Sequence, residues 1–351
     1  MFKNKFSKIS SIIQDAKKGK MFILVDDKNR ENEGDLIIPG SKCTSKSINF
    51  MAKHGRGLIC LALTKKQVDN LKLPLMSSIN KSRMQTAFTI SIEAKKGITT
   101  GISAQDRAKT IKTAINPKVK KSEIVSPGHV FPLVARNGGV LKRAGHTEAS
   151  VDISKLSKLN PSSVICEVMN EDGRMARLND LFKFSKKHKI KLASIEDLIS
   201  YRFRYEKLVY KKELKSLNID KIGKLNLHTY KNKLKKNINF AITKGKFDQT
   251  KSIPVRVLSN KIENKNIMNN NNIMKSLMFM SKYKNFLLLI INNKNNIFKE
   301  NSINTLRYYG VGAQIIKDLN IKNMILISRS KKKIIGLDGF GLKIKKQIII
   351  K

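Results

Sequence analysis

Acidic residues, cysteine and tryptophan are scarce in this chain of 351 residues. It contains 26 Asp and Glu against 71 Lys and Arg, which gives a formal net charge of +45, and it has three cysteines and no tryptophan. The cysteines Cys43, Cys60 and Cys166 are too few for a disulfide scaffold, and they lack the close pair spacing of a structural zinc site. We therefore expect reduced thiols that are mostly buried.

The sequence also lacks a long apolar run. No run approaches the roughly 20 residues that a membrane-spanning helix needs. The first 20 residues have neither the apolar core nor the small-residue cleavage site of a secretory signal. We expect a cytoplasmic protein without a membrane partner, and its length is sufficient for two domains that each bury a core.

The excess of basic residues is spread along the whole chain. Residues 1–203 contain 38 basic and 18 acidic residues, and residues 204–351 contain 33 and 8. Nucleic-acid binding would favour a dense basic stripe, with interleaved aromatic residues for single strands, and the sequence has no such stripe. We expect only nonspecific affinity for polyanions at low salt and no specific nucleic-acid partner.

The scarce acidic residues are concentrated in one segment. Residues 26–35 read Asp-Asp-Lys-Asn-Arg-Glu-Asn-Glu-Gly-Asp and lie between two short apolar runs that predict strands. Carboxylates crowded on such a loop suit a hard cation such as Mg²⁺, and Arg30 offers a planar fork for a phosphate or a carboxylate. The alternative is a solvated acidic turn shaped by Asn32 and Gly34.

A glycine-rich basic turn over residues 138–148 is a second candidate. It enters a predicted helix, where backbone N–H groups, Arg143 and Thr147 could hold an anion and His146 could bind a metal or move a proton. A turn of this composition is also ordinary at the start of a helix.

Two single residues complete the candidates. His129 lies where a turn meets a strand, which suits a general acid or base but is also common for a structural histidine. Glu167 interrupts the apolar run 164–168, and a carboxylate there is costly unless it is paired, functional or facing water.

Short strands alternate with amphipathic helices over residues 1–203, which predicts an α/β (mixed α+β) domain with a mixed sheet and flanking helices. Strands are predicted at 21–25, 36–38, 57–63, 86–93, 130–135 and 163–169, and helices at 5–18, after Thr44, at 64–71, 103–115, after Gly145, at 178–188 and 194–201. Residues 204–275 are rich in Lys and Asn, and we expect them to be partly loop or disordered. A strand at 285–291, a helix at 305–319, a strand at 324–327 and the glycines 336, 339 and 341 predict a smaller, degenerate α/β domain within residues 204–351.

Five motifs in order resemble 3,4-dihydroxy-2-butanone 4-phosphate synthase of riboflavin biosynthesis, across about residues 5–203. They are the acidic segment 26–35, Gly-Ile-Thr-Thr-Gly-Ile-Ser-Ala-Gln-Asp-Arg at 97–107, Pro-Gly-His-Val-Phe-Pro at 127–132, Arg-Ala-Gly-His-Thr-Glu-Ala at 143–149 and Ile-Glu-Asp-Leu at 195–198. The resemblance implies conversion of D-ribulose 5-phosphate to L-3,4-dihydroxy-2-butanone 4-phosphate and formate. It also implies a homodimer with active sites near the subunit interface.

The resemblance further implies roles for individual residues. Glu31 and His146 look like the two protein ligands of Mg²⁺ or Mn²⁺, and His129 and Glu167 look like the residues that move protons. Substrate contacts are implied for Arg30, Glu31, Asp35, Glu167 and the phosphate-binding segment Arg143, Ala144, Gly145, His146 and Thr147. The implied reaction begins with removal of a proton next to a ketone, so it needs a base and a positive charge near the developing enediolate.

The end of the chain resembles another family. Segments 306–315 and 333–342 resemble the end of GTP cyclohydrolase II, which is often fused after the synthase and binds catalytic zinc through three cysteines. No cysteine follows Cys166 here, and Thr305 stands where that family has an acid two residues before Arg307.

Without thiolate ligands for zinc there is no activated water to open a guanine ring. We expect no zinc and no cyclohydrolase activity in residues 204–351, which would then serve as a dimer or partner surface. The alternative is that the whole chain is an inactive scaffold or a partner-binding subunit of a riboflavin-pathway enzyme.

Overall fold

The computed structural model describes residues 6–233, 238–260, 262, 267, 270–292, 302–330 and 340–350. The chain divides into two compact units between Ile199 and Ser200. Each unit contains a mixed sheet of seven strands in its described part. The α/β class predicted from the sequence is confirmed.

The first unit alternates strands and helices along the chain. Its strands are β1 (Phe22–Val25), β2 (Gly34–Pro39), β3 (Cys60–Thr64), β4 (Ile92–Ala94), β5 (Ile124–Ala135), β6 (Ser163–Glu167) and β7 (Lys191–Ser194). Its helices are α1 (Ile9–Lys17), α2 (Ser45–Phe50), α3 (Lys65–Asn70), α4 (Ala104–Ala114), α5 (His146–Leu156) and α6 (Leu178–His188), and α7 (Ile195–Tyr205) continues into the second unit.

The sheet of the first unit has the strand order β4-β5-β3-β6-β2-β1-β7. Strands β1 and β2 form an antiparallel hairpin, and the acidic segment is its loop. The central strands are apolar and buried because helices cover the sheet, and α1 buries the face that carries Ile9, Ile12, Ile13 and Ala16. The three cysteines are unpaired, and they are mostly buried as predicted: Cys60 and Cys166 are buried and Cys43 is half-buried.

One predicted strand of this unit is mostly absent. The alternating segment 86–93 contributes only its end to β4, while Phe88 and Thr89 form isolated bridges to Leu133 and Leu75. Neighbouring backbone groups bond to two different segments, since Thr89 N donates to Pro132 O at 3.0 Å and Ile90 N donates to Pro74 O at 3.2 Å. Proline has no N–H group to return, so neither pairing extends into a ladder.

The second unit has the strand order β14-β13-β11-β12-β10-β9-β8. Its strands are β8 (Val209–Ile219), β9 (Gly223–Asn232), β10 (Ile238–Lys244), β11 (Ser252–Asn260), β12 (Phe286–Asn292), β13 (Asn323–Ser328) and β14 (Lys343–Ile349), and its helices are α8 (Asn271–Met280) and α9 (Ser302–Asp318). The predicted strands at 285–291 and 324–327 and the predicted helix at 305–319 are confirmed. Gly336 and Gly339 lie outside the described residues.

The expectation of loop or disorder over residues 204–275 is wrong for most of that segment. Four strands, β8 to β11, lie there because the Lys and Asn residues are interspersed with apolar ones that share a buried core. Leu225 and Tyr230 of β9, for example, are nearly inaccessible to solvent. The composition indicated disorder, but the alternation of polar and apolar residues favours β-strands, and the segment forms part of a sheet.

Among the described residues, none of the helices has the length and apolar character needed to cross a membrane.

Candidate active site

The acidic loop is organised around the Asp26 carboxylate. This side chain accepts hydrogen bonds from the backbone N–H of Glu31 at 3.2 Å and of Glu33 at 3.0 Å, and it pairs with Arg30 at 2.7 Å. Arg177 holds the loop from outside by donating to the backbone oxygens of Glu31 and Asn32 at 2.7 and 2.9 Å. The loop is therefore a fixed structure and not a solvated turn.

The loop meets the first turn of α5 at His146. The imidazole Nδ1 lies 3.8 Å from a Glu31 carboxylate oxygen and 3.7 Å from Asp35 Oδ1. Ligand atoms of Asp26, Glu31 and His146 all lie within 4.8 Å of one another. Both His146 Nε2 and Asp35 Oδ1 are buried without a hydrogen-bond partner among the described residues, which is the condition expected of groups arranged for an additional ligand.

Burial and mutual repulsion shift the protonation of these groups. Burial, followed by the charges of Glu167 and Glu31, raises the pKa of Asp35 well above its usual value of 3.8. Burial and Glu31 also raise the pKa of Glu33. Burial lowers the pKa of His146 against the opposing effect of Asp26, so the imidazole is neutral. A neutral imidazole among oxygen donors fits a divalent cation such as Mg²⁺ or Mn²⁺.

Glu167 borders this cluster from the next strand. Its Cα lies opposite that of Asp35 in the β2–β6 pairing, so the two side chains point to the same face of the sheet. Its carboxylate accepts a hydrogen bond from Leu58 N at 2.9 Å, and a Cβ at Gly57 would lie only 2.6 Å from Glu167 Oε2. Burial raises the pKa of Glu167, with a smaller contribution from Glu31.

The start of α5 offers an anion site beside the cluster. Gly145 is the N-cap and makes no side-chain cap, so N–H groups of the first turn are open to a ligand. Thr147 and Ala144 are buried next to this turn. Arg143 crosses it, bound to Glu148 at 2.7 Å and to Met84 O and Thr86 Oγ1 at 3.0 Å each. A Cβ at Gly145 would lie 2.3 Å from Arg143 Nη1, so glycine is required for this path.

His129 contacts a different partner. Its Nδ1 pairs with the carboxylate of Glu93 across β4 and β5. His129 lies on β5, and β3 separates β5 from β6, the strand that carries Glu167.

The structure thus brings most of the sequence-predicted site residues into one cluster and places His129 apart from it. The clustered residues are Arg30, Glu31, Asp35, His146 and Glu167, with Arg143, Ala144, Gly145 and Thr147 on the adjoining turn. Sequence reasoning did not single out Asp26, Glu93, Glu148 or Arg177. Asp26 belongs to the acidic segment, but no local pattern separates it from Asp27. Glu93 and Arg177 act through partners distant in sequence, and Glu148 acts through Arg143, which precedes it by five residues.

Comparison with known proteins identifies two families along the chain. Residues 10–201 match the 3,4-dihydroxy-2-butanone 4-phosphate synthase family, and residues 289–349 match the GTP cyclohydrolase II family. The riboflavin biosynthesis protein RibBA of Aquifex aeolicus is 43% identical and aligns with 99% of this chain and 93% of its own length. The 3,4-dihydroxy-2-butanone 4-phosphate synthase of Photobacterium phosphoreum is 42% identical over 96% of this chain and 98% of its own.

Solved structures agree with the sequence matches. RibBX, a two-domain 3,4-dihydroxy-2-butanone 4-phosphate synthase from A. baumannii, superposes with a TM-score of 0.81 at 36% identity and covers 98% of this chain and 99% of its own. A 3,4-dihydroxy-2-butanone 4-phosphate synthase in complex with two magnesium ions has a TM-score of 0.55 at 38% identity and covers 57% of this chain and 99% of its own.

Proposed function

Because the chain belongs to the 3,4-dihydroxy-2-butanone 4-phosphate synthase family of riboflavin biosynthesis, we propose that it is a lyase that converts D-ribulose 5-phosphate to L-3,4-dihydroxy-2-butanone 4-phosphate and formate. We assign this activity to residues 1–203. The observation that carries the proposal is the meeting of Glu31 and His146 at 3.8 Å inside a cluster of buried and half-buried carboxylates.

Glu31 and His146 would hold Mg²⁺ or Mn²⁺, with Asp26 close to both. A divalent cation supplies positive charge for the negative charge that develops on neighbouring substrate oxygens. The cluster gathers five carboxylates, Asp26, Glu31, Glu33, Asp35 and Glu167, and the charges of Asp26, Glu31 and Glu167 raise the pKa values of Glu33 and Asp35. That arrangement is unfavourable unless a cation or protons compensate it.

The remaining side chains bind the substrate and move protons. The first turn of α5, together with Arg143 and Thr147, presents N–H groups and positive charge to the phosphate. Arg30 and Asp35 face the sugar hydroxyls. Glu167 keeps a proton to higher pH than an exposed glutamate because burial raises its pKa, which suits a general acid or base. His129 supplies the second proton-moving group.

A homodimer is the assembly that the surface of the first unit supports. Among the described residues of this unit, the exposed large apolar side chains fall between residues 58 and 125, a stretch that also contains Glu93 and borders His129. These residues are Leu58, Leu75, Met76, Ile79, Ile102 and Val125. Large apolar side chains that are exposed in the single chain are candidates for burial in a protein–protein interface.

Residues 204–351 are proposed to have neither zinc nor GTP cyclohydrolase activity. The match to that family covers only residues 289–349, and no cysteine follows Cys166. RibBX, which this chain matches over 99% of the RibBX length, is described as a two-domain 3,4-dihydroxy-2-butanone 4-phosphate synthase. The second unit is then a dimer or partner surface.

The decisive experiment incubates the full-length protein with D-ribulose 5-phosphate, with and without Mg²⁺, and measures formate. We expect formate release that requires the cation. GTP with added Zn²⁺ is the parallel substrate, and we expect no release of formate or pyrophosphate from it. Absence of formate from ribulose 5-phosphate under all metal conditions would favour an inactive scaffold or partner-binding subunit.

A further inference from the structure

His129 sits where two strands approach unusually closely. A Cβ at Gly128 would lie 2.3 Å from the backbone carbon and oxygen of Ile92, and 2.6 Å from Glu93 N. Gly128 N donates to Ser91 Oγ at 3.1 Å. Only glycine at position 128 allows β4 to lie against β5 in this way, and the close approach brings the Glu93 carboxylate to His129 Nδ1.

The Gly97–Arg107 motif forms the other wall around Glu93. A Cβ at Gly101 would lie 1.6 Å from a Glu93 carboxylate oxygen, and the φ of Gly101 is +91°. Gly101 is held by its N–H, which donates to Asp106 Oδ2 at 3.0 Å, and Asp106 also accepts from Thr99 Oγ1 at 2.7 Å. Ser103 in turn accepts from Asp106 N at 3.0 Å. Gly101, which Asp106 holds in place, therefore closes one side of the Glu93 carboxylate.

The two partners are arranged with the acid inside and the imidazole outside. The Glu93 side chain is 15% exposed, whereas the His129 side chain is 43% exposed. An ionised carboxylate only accepts hydrogen bonds, so it fixes the proton of a neutral imidazole on Nδ1 and leaves Nε2 as the acceptor. Nε2 is then available to a substrate at the exposed side of the ring.

We propose that Glu93 is a positioning residue for His129, which orients the ring and fixes the tautomer in which Nε2 accepts the substrate proton. This inference rests on the proposed function, because it assigns His129 a proton-transfer role in the synthase reaction. It gives Gly101 of the Gly97–Arg107 motif a physical purpose, which is to leave room for the Glu93 carboxylate beside His129.

The kinetic test compares Glu93→Gln and Glu93→Asp with the wild type, with Glu171→Gln as the control, because Glu171 is 85% exposed in the same unit. We expect Glu93→Gln to lower kcat for formate release about 10²-fold, within the contribution of a positioned acid or base, with little change in KM. Glu93→Asp recovers part of the loss, and Glu171→Gln behaves as the wild type.

A double-mutant cycle separates positioning from a general structural role. If Glu93 acts through His129, Glu93→Gln causes no further loss in a His129→Ala background. Losses that multiply in the double variant, or an unchanged kcat in Glu93→Gln, would overturn the inference. An inactive wild type would instead count against the proposed function.

Nitrogen-15 NMR of the histidine side chains tests the tautomer without activity. The chain has five histidines, and the His129→Ala spectrum identifies the signal of His129. We expect a protonated Nδ1 and an unprotonated Nε2 in the neutral wild-type ring, and a mixture of tautomers in Glu93→Ala. The same mixture in the wild type would refute the assignment.

A pair of glycine substitutions tests the proposed role of Gly101. Gly101→Ala places its methyl group on the Glu93 carboxylate, and Gly97→Ala carries a similar backbone penalty at φ +76° but meets only the Lys109 side chain at 3.1 Å. We expect Gly101→Ala to lower kcat as Glu93→Gln does, and Gly97→Ala to retain it. Equal losses in both variants would contradict the proposed role of the motif.

Discussion

The buried carboxylates of the first unit oppose one another at the scale of single residues. Asp35 and Glu167 lie opposite each other on the neighbouring strands β2 and β6, and the charge of Glu31 acts on both. Since burial weakens solvent screening, each ionised group disfavours the ionisation of the next. A cation held by the proposed ligands Glu31 and His146 would reduce this repulsion, which would link metal binding to folding stability.

Glu31→Ala and His146→Ala test that linkage. Each variant should abolish detectable formate release while remaining folded, because each removes one of the two proposed ligands. Mg²⁺ should raise the thermal unfolding temperature of the wild type but not of either variant, as measured by calorimetry. Lys28→Ala, an exposed position in the same loop, should behave as the wild type in both assays. A variant that keeps turnover would exclude that residue as a ligand.

His228 in the second unit should make stability sensitive to acid. Burial lowers its pKa from 6.5 to about 4, and its Nδ1 has no hydrogen-bond partner among the described residues. The unfolded state binds a proton in this window and the folded state does not, so stability is complete above pH 6.5 and falls as the pH drops toward 4.

His228→Gln removes the titrating group and can keep the hydrogen bond of Nε2 to Thr243 Oγ1 at 3.0 Å. We expect the variant to lose less stability than the wild type between pH 6.5 and 4, by up to about 2 kcal/mol. Hydrogen–deuterium exchange of β9 peptides measures this locally. Parallel pH profiles for both proteins would mean that His228 does not contribute.

At the scale of elements, helix starts are the part of the fold that local sequence determines. Thr44, Thr64 and Ser103 each accept a backbone hydrogen bond at the start of a helix, and the three helices lie where the sequence predicts them. The boundaries of α6 match the prediction because its apolar face has a clear helical period. The strand prediction for residues 86–93 is wrong for most of the segment because prolines 74 and 132, in other segments, limit its pairing. No local pattern contains that information.

The first turn of α5 offers an element-scale prediction. Gly145→Ala should displace Arg143 from Glu148, because the new methyl group would occupy the position of Arg143 Nη1. We expect the KM for ribulose 5-phosphate to rise about tenfold, a loss of about 1.4 kcal/mol in binding, with a smaller change in kcat. Steady-state kinetics and inhibition by inorganic phosphate measure it.

Gly312→Ala is the matched control, since a Cβ there meets only Leu289 at an ordinary 3.4 Å. It should leave KM unchanged. An unaltered KM in Gly145→Ala would mean that the Arg143 path across the helix start is not needed for the phosphate.

For the whole molecule, composition is a poor guide to the fold and the site, whereas the order and pattern of residues along the chain is a good one. The net charge of +45 says little about the site, which is locally acidic. The motif order predicted the family, and the geometry of Glu31 and His146 agrees with it. Glu93 could not be found in this way, because its partner His129 lies 36 residues away and the contact depends on the strand pairing.

The proposed homodimer is tested by charging the exposed apolar surface of the first unit. Ile79→Glu places a carboxylate on a side chain that is 69% exposed in the single chain. If this surface forms the interface, burying the new charge is unfavourable and the dimer dissociation constant should rise at least about tenfold. Size-exclusion chromatography with light scattering over a concentration series measures it.

Met278→Glu is the control in the second unit, where the native side chain is 48% exposed. It should leave the dimer of the first unit unchanged. Dissociation by Met278→Glu but not by Ile79→Glu would assign the interface to the second unit instead.

The pairing of Glu167 with Asp35, and the position of His129 within β5, have a consequence for how this protein tolerates changes in length. Side chains alternate between the faces of a sheet, so deleting a single residue within β2, β5 or β6 would turn the functional group of that strand away from its neighbours. Insertions and deletions that preserve catalysis should therefore be confined to the loops between strands and helices. A deletion within a strand should be harmful even where the remaining residues are unchanged.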